Sequence, residues 1–227
     1  MFTNREEAGK LLANKLMDYS DNKEVVIVAI PRGGVPVGVE IAKNLNAPLE
    51  IVLSKKIGHP FNKEYAIGAV TLKNSVLSDA ALEVSQVYIH DETERIRKLL
   101  KQRLQLYYED RKPVELKDKI VILVDDGIAT GNTMISCIQL IGLQKPSKIM
   151  VALPVAPASA LKKILELPEV SETICLSTPF NFQAVGQFYE DFNQVDDKEV
   201  IALLKKANKK FGYGKHNILN VLLTIFG

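Results

Sequence analysis

Apolar residues fall into two kinds of run along this chain. The first kind is short and unbroken: residues 25–30 (Val-Val-Ile-Val-Ala-Ile), 120–124 (Ile-Val-Ile-Leu-Val) and 148–155 (Lys-Ile-Met-Val-Ala-Leu-Pro-Val). Runs without polar alternation predict strands buried on both faces, as at the centre of a parallel sheet. Further strands are expected over 48–53 and within 170–176. The second kind recurs at helical spacing. Ala8, Leu11, Leu12, Leu16 and Met17 predict an amphipathic packing helix over 4–19. Ile96, Leu99, Leu100, Leu104, Tyr107 and Tyr108 form one stripe of a long helix over 91–111, with Asp91 and Glu94 at capping-box spacing. Shorter helices are predicted after the 31–38 stretch, through about residue 45, and over 134–143, 160–165 and 197–207.

Strands alternating with helices predict an α/β fold: a Rossmann-like parallel sheet with right-handed crossovers and helices on both faces. Residues 57–65 break the alternation. They are polar, contain Gly and Pro, show little periodicity, and read as a long loop at about 55–66. Residues 66–72 return to an extended apolar pattern, with Val76 and Leu77 placed to pair as a hairpin. The composition changes again after Ser177, where Phe180, Phe182, Phe188, Tyr189 and Phe192 supply five of the fifteen Phe and Tyr residues. The chain therefore divides into a core at 1–177 and a segment at 178–227. The aromatic stretch reads equally as a set of stacking surfaces with Glu190 and Asp191 at their edges, or as a satellite core.

Composition narrows the options further. Of 227 residues, 47% are hydrophobic and 25% charged, with a formal net charge of +2. That near-neutral balance disfavours direct nucleic-acid binding. The apolar run 218–226, which follows a basic tail, is too short to span a bilayer, and packing on the domain, binding to a second subunit or poor order is preferred to membrane contact. A dimer contact along the long helix is the alternative to a solvated face. Cys137 and Cys175 stand apart with no metal-ligand spacing. The first residues carry no apolar segment of signal-peptide length, so a cytoplasmic protein is expected.

The chemistry concentrates where the run 120–124 stops at Asp125-Asp126, followed by Gly-Ile-Ala-Thr-Gly-Asn-Thr at 127–133. Carboxylates at a strand's C-terminal end face the crevice where open α/β sheets bind ligands. They can accept charge-assisted hydrogen bonds from a diol. The turn opens a helix, so its amides, its hydroxyls and the helix dipole suit a phosphate. A second strand end carries Pro31-Arg32-Gly33-Gly34, a guanidinium beside amides that can meet an anion.

The stretch Val-Ile-Leu-Val-Asp-Asp-Gly-Ile-Ala-Thr-Gly-Asn-Thr at 121–133 resembles the signature of the type I phosphoribosyltransferases, and the Pro-Arg-Gly-Gly loop resembles their pyrophosphate loop. The resemblance implies that Asp125 and Asp126 hold the ribose hydroxyls of phosphoribosyl pyrophosphate (PRPP), directly or through Mg²⁺. It implies that Ala129, Thr130, Gly131, Asn132 and Thr133 hold its 5-phosphate, and that Arg32, Gly33, Lys55 and Lys56 meet the pyrophosphate. Asp125, Asp126 and Arg32 would be catalytic. An unusual cis or strained peptide is expected around residues 30–32. The 55–66 stretch resembles the family's flexible loop. The aromatic segment resembles the small C-terminal hood that receives the acceptor, here through Phe188, Tyr189 and Glu190. Ala129 stands where some purine-salvage members carry an acidic residue, so this turn supplies no proton acceptor. Glu190, Asp191 and Glu64 are the remaining candidates. The implied function is Mg²⁺-dependent transfer of ribose 5-phosphate from PRPP to a nucleobase or similar nitrogen acceptor, with release of pyrophosphate. The alternative is a catalytically weak PRPP-binding regulator of the same fold.

Overall fold

The computed structural model describes residues 1–108 and 113–211, the side chain of Glu64 excepted. The expectations for the basic and apolar tail beyond 211, for the end of the long helix and for Glu64 as a proton acceptor lie outside the described residues.

Five parallel strands form the central sheet: β1 (Val25–Ala29), β2 (Leu49–Ile51), β6 (Ile120–Val124), β7 (Lys148–Val155) and β8 (Glu172–Ser177), in the order β2-β1-β6-β7-β8. The unbroken apolar runs have a direct cause. Val25, Ile27 and Ala29 face one core with Ile122 and Val124, while Val26 and Val28 face the other with Val121 and Leu123. The first core is covered by α1 (Arg5–Lys15), α2 (Gly34–Leu45), α3 (Gln86–Tyr108) and α6 (Asp197–Asn208), the second by α4 (Asn132–Gly142) and α5 (Ala158–Leu165). Among the described residues, no helix is long and apolar enough to cross a membrane.

Strand order places the site. From β1 the chain runs outward to β2 on one side, whereas β6, on its other side, leads to β7 and β8. The order of strand addition therefore reverses between β1 and β6, the position at which ligands enter such folds. Ala29 is in register with Val124, and the Ile30 amide donates to the Val124 carbonyl at 2.9 Å. The loops that follow the two strands thus start side by side.

Two expectations are corrected. The 57–65 stretch is not an irregular loop. It belongs to a three-stranded antiparallel sheet of β3 (Lys55–His59), β4 (Asn62–Val70) and β5 (Ser75–Leu77). Register shifts around Gly58 disrupt the pairing of β3 with β4, which is why no period-two alternation is legible there. The long helix begins at Gln86, so Asp91 lies inside it and does not cap it. Ile89 is buried ahead of Ile96 and Leu100, which extends the apolar stripe toward the N-terminus.

Candidate functional site

The β1–α2 loop, the β6–α4 loop and the first turn of α1 meet at Asp126. The Pro31–Arg32 peptide is cis, within the expected stretch. Gly33 follows as the residue before α2, and a Cβ there would lie 2.1 Å from Asp126 Oδ2. Only a residue without a side chain lets this backbone press against that carboxylate. Asp126 is 9% exposed. The neighbouring Asp125 is less enclosed as a residue, and its Oδ1 accepts from the Asp126 amide at 2.9 Å. Burial of the carboxyl, and then the charge of Asp126, push the Asp125 pKa well above the ordinary carboxylate range.

Beyond the acids the turn is open. Ala129, Thr130, Asn132 and Thr133 are exposed, while the buried Gly131 sits at φ +79° immediately before α4. A glycine relieves the cost of that left-handed conformation. The turn therefore presents hydroxyls and amides to solvent at the N-terminus of an eleven-residue helix.

Arg5 was not legible as a site residue. Its Nε donates to Asp126 Oδ2 at 2.8 Å and its Nη1 donates to the Asn193 carbonyl at 2.8 Å. The guanidinium carbon lies 3.9 Å from the Phe192 ring centroid, and the side chain is 11% exposed. Asn4 fixes this placement by capping α1, accepting from the Glu7 amide at 2.9 Å. Nothing in a helix read for packing marks its first-turn arginine as the partner of a residue 121 positions away.

The aromatic segment closes over the same point. The Phe2 amide donates to the Phe188 carbonyl, and the Glu190 and Asp191 amides donate to the carbonyls of Phe2 and Thr3. Phe2, Ala8, Val155 and Tyr189 form a small core, with Phe182, Phe188 and Phe192 packed against it. Phe188 stacks on Phe182 at 5.3 Å, and Tyr189 on Phe192 at 5.0 Å. These rings pack together around a small core, and the Tyr189 hydroxyl of that cluster reaches the Asp126 carbonyl. The Glu190 side chain is exposed.

The remaining candidates lie farther out. Arg32 is half-exposed, with Nη1 3.9 Å from Asp197 Oδ1, the same oxygen that accepts from the Tyr107 hydroxyl. Lys55 and Lys56 are exposed on β3, where Lys55 lines a cavity of about 220 Å³ with Leu99, Leu100, Arg103 and Leu106 of α3. Among the described residues no group of three or more His, Cys, Asp or Glu side chains could hold a metal ion.

Two loops rich in potential anion donors thus meet at one acid pair on a parallel sheet. The profile of the phosphoribosyl transferase domain matches residues 3–190, and the chain belongs to that family. Two Mycobacterium tuberculosis proteins, from strains H37Rv and CDC 1551 and each named "Putative phosphoribosyl transferase", are 36% identical over 218 residues, covering 93% of this chain and 48% of theirs. The chain thus spans about half the length of these relatives. The crystal structure of TT1426 from Thermus thermophilus matches with a TM-score of 0.81 at 37% identity, covering 90% of this chain and 98% of that one.

Proposed function

We propose that this chain transfers the ribose 5-phosphate group of PRPP to a nitrogen acceptor such as a nucleobase, releasing pyrophosphate. The observation that carries the reading is the contact of Gly33 with Asp126 beside the open 129–133 turn. One acid pair is thereby flanked by two separate anion-suited loops, the order of groups in a ribose that carries phosphates at both ends.

In this reading Asp125 and Asp126 accept the ribose hydroxyls, and the 129–133 turn holds the 5-phosphate. Arg32 and Gly33 take the pyrophosphate, with Lys55 and Lys56 approaching from the β3–β4 hairpin. Departure of pyrophosphate leaves positive charge on the ribose ring, which the two carboxylates favour, while Arg32 favours negative charge on the leaving group. No covalent nucleophile is required. The acceptor lies on the hood side, near Phe188, Tyr189 and Glu190.

The donor set fits Mg²⁺. It consists of carboxylate oxygens from two adjacent acids, of which Asp126 is paired with the Arg5 guanidinium. Mg²⁺ keeps several waters and substrate oxygens, so Asp125 and Asp126 suffice without a protein cage. When bound, the ion neutralises the pyrophosphate. Pyrophosphate release measured with PRPP, Mg²⁺ and a panel of bases tests the proposal, and release that depends on one base is expected. Tight PRPP binding without turnover across the panel would favour the regulator. Unchanged Mg²⁺-dependent PRPP binding after replacing Asp125 and Asp126 together by Asn would overturn the assigned ribose contact.

A further inference from the structure

Arg5 meets two parts of the site at one atom. Asp126 Oδ2 accepts from Arg5 Nε at 2.8 Å, and the same oxygen lies against Gly33 of the loop assigned to the leaving group. The guanidinium is held on its other side by the Asn193 carbonyl and the Phe192 ring. It is 11% exposed and has more N–H donors than the two these partners use.

A ligand whose hydroxyls donate to Asp126 Oδ2 competes with Arg5 Nε for that oxygen, although the carboxylate charge stays in place. A largely buried guanidinium N–H displaced from its acceptor is unfavourable unless another acceptor is near. The oxygens that arrive with a sugar pyrophosphate, at the adjoining loop, supply one. Arginine suits this exchange because its planar fork can keep the Asn193 and Phe192 contacts while turning one edge to phosphate.

We propose that Arg5 is a substrate-contact residue, a second guanidinium beside Arg32 for the pyrophosphate, which rests on Asp126 until the ribose hydroxyls claim that carboxylate. The proposal rests on the phosphoribosyl reading and adds a residue from the N-terminal helix to the leaving-group site. It also ties donor binding to the hood, because Arg5 is anchored on Phe192 and Asn193.

The test compares three ligands by titration calorimetry on the full chain: Mg²⁺–PRPP, Mg²⁺–pyrophosphate and ribose 5-phosphate. Arg5→Gln is expected to weaken Mg²⁺–PRPP about tenfold or more, the scale of one charged hydrogen bond, to leave Mg²⁺–pyrophosphate, which has no ribose hydroxyls to free Arg5, within about twofold, and not to weaken ribose 5-phosphate. Arg5→Lys keeps the charge without the fork and should fall between, and it carries the test if the glutamine variant melts early. An equal loss for all three ligands, no loss, or tighter PRPP binding would overturn the proposal while leaving the phosphoribosyl reading intact. Failure of the unaltered protein to bind any of the three would overturn that reading, and this inference with it.

Discussion

The Tyr189 hydroxyl donates to the backbone carbonyl of Asp126 at 2.6 Å, fastening the hood to the acid pair from inside the protein. Burial, and then the Asp126 charge, raise the Tyr189 pKa, so the hydroxyl stays a donor throughout the working range. Tyr189→Phe leaves that carbonyl without this partner and should cost about 1–2 kcal/mol. Urea unfolding measures the loss. Faster hydrogen exchange at the Glu190 and Asp191 amides, which bond to Phe2 and Thr3, would show that the hood has loosened.

Two glycines of the site should fail in different ways. In Gly33→Ala the new methyl meets Asp126 Oδ2, so the carboxylate must move and release Arg5. Mg²⁺–PRPP binding should be lost, and the melting temperature should fall as well because the largely buried Arg5–Asp126 pair is disturbed. In Gly131→Ala the methyl has room, with Ala160 Cβ at 3.6 Å, but φ is +79°. That backbone costs about 1–2 kcal/mol for an L side chain, so stability should fall by that amount in urea titrations. Ligand binding should suffer less than in the Gly33 variant.

Asp125→Asn should stabilise the ligand-free protein in a pH-dependent way. The folded-state pKa is raised, so the folded chain binds more protons than the unfolded chain above the ordinary value of 3.8. Stability of the unaltered protein is therefore lost as pH rises from that value through the folded-state pKa. The variant carries no such penalty. Its melting-temperature advantage should be smallest in acid and grow toward neutral pH, and an advantage that shrank with rising pH would contradict the burial argument.

Asn208→Ala should destabilise the edge of the sheet. The Asn208 carboxamide accepts from the Leu49 amide at 3.0 Å and donates to the Leu49 carbonyl at 2.8 Å, completing the free side of β2 from α6. Removing it takes a partner from both buried groups, a loss of about 2–4 kcal/mol. Thermal unfolding should show the change, while titration with ribose 5-phosphate should not, because β2 ends away from the acid pair.

Much of the site was legible because its chemistry is local. Residues 121–133 contain a buried strand, the acids that end it, a turn and a helix start, and each follows from its neighbours. The same holds for residues 25–34. The hairpin of β3 and β4 was not legible, because a break in register around Gly58 erases the alternation that marks a strand. The long helix was placed by an acid that resembles a cap, whereas Ile89 packing into the core draws the helix further back.

From the order of residues alone came the parallel sheet, the helices on both its faces, the acid pair at a strand end and the phosphate-suited turn beyond it. Each of these depends on period and on adjacent residue types. The folded chain decided which distant groups share one carboxylate: Arg5 from the first helix, Gly33 from a loop 93 positions before it, and Tyr189 from the hood at its carbonyl. No periodicity encodes such meetings. They follow from strand order and from how α1 and the aromatic cluster pack across the crevice, which only the whole core determines.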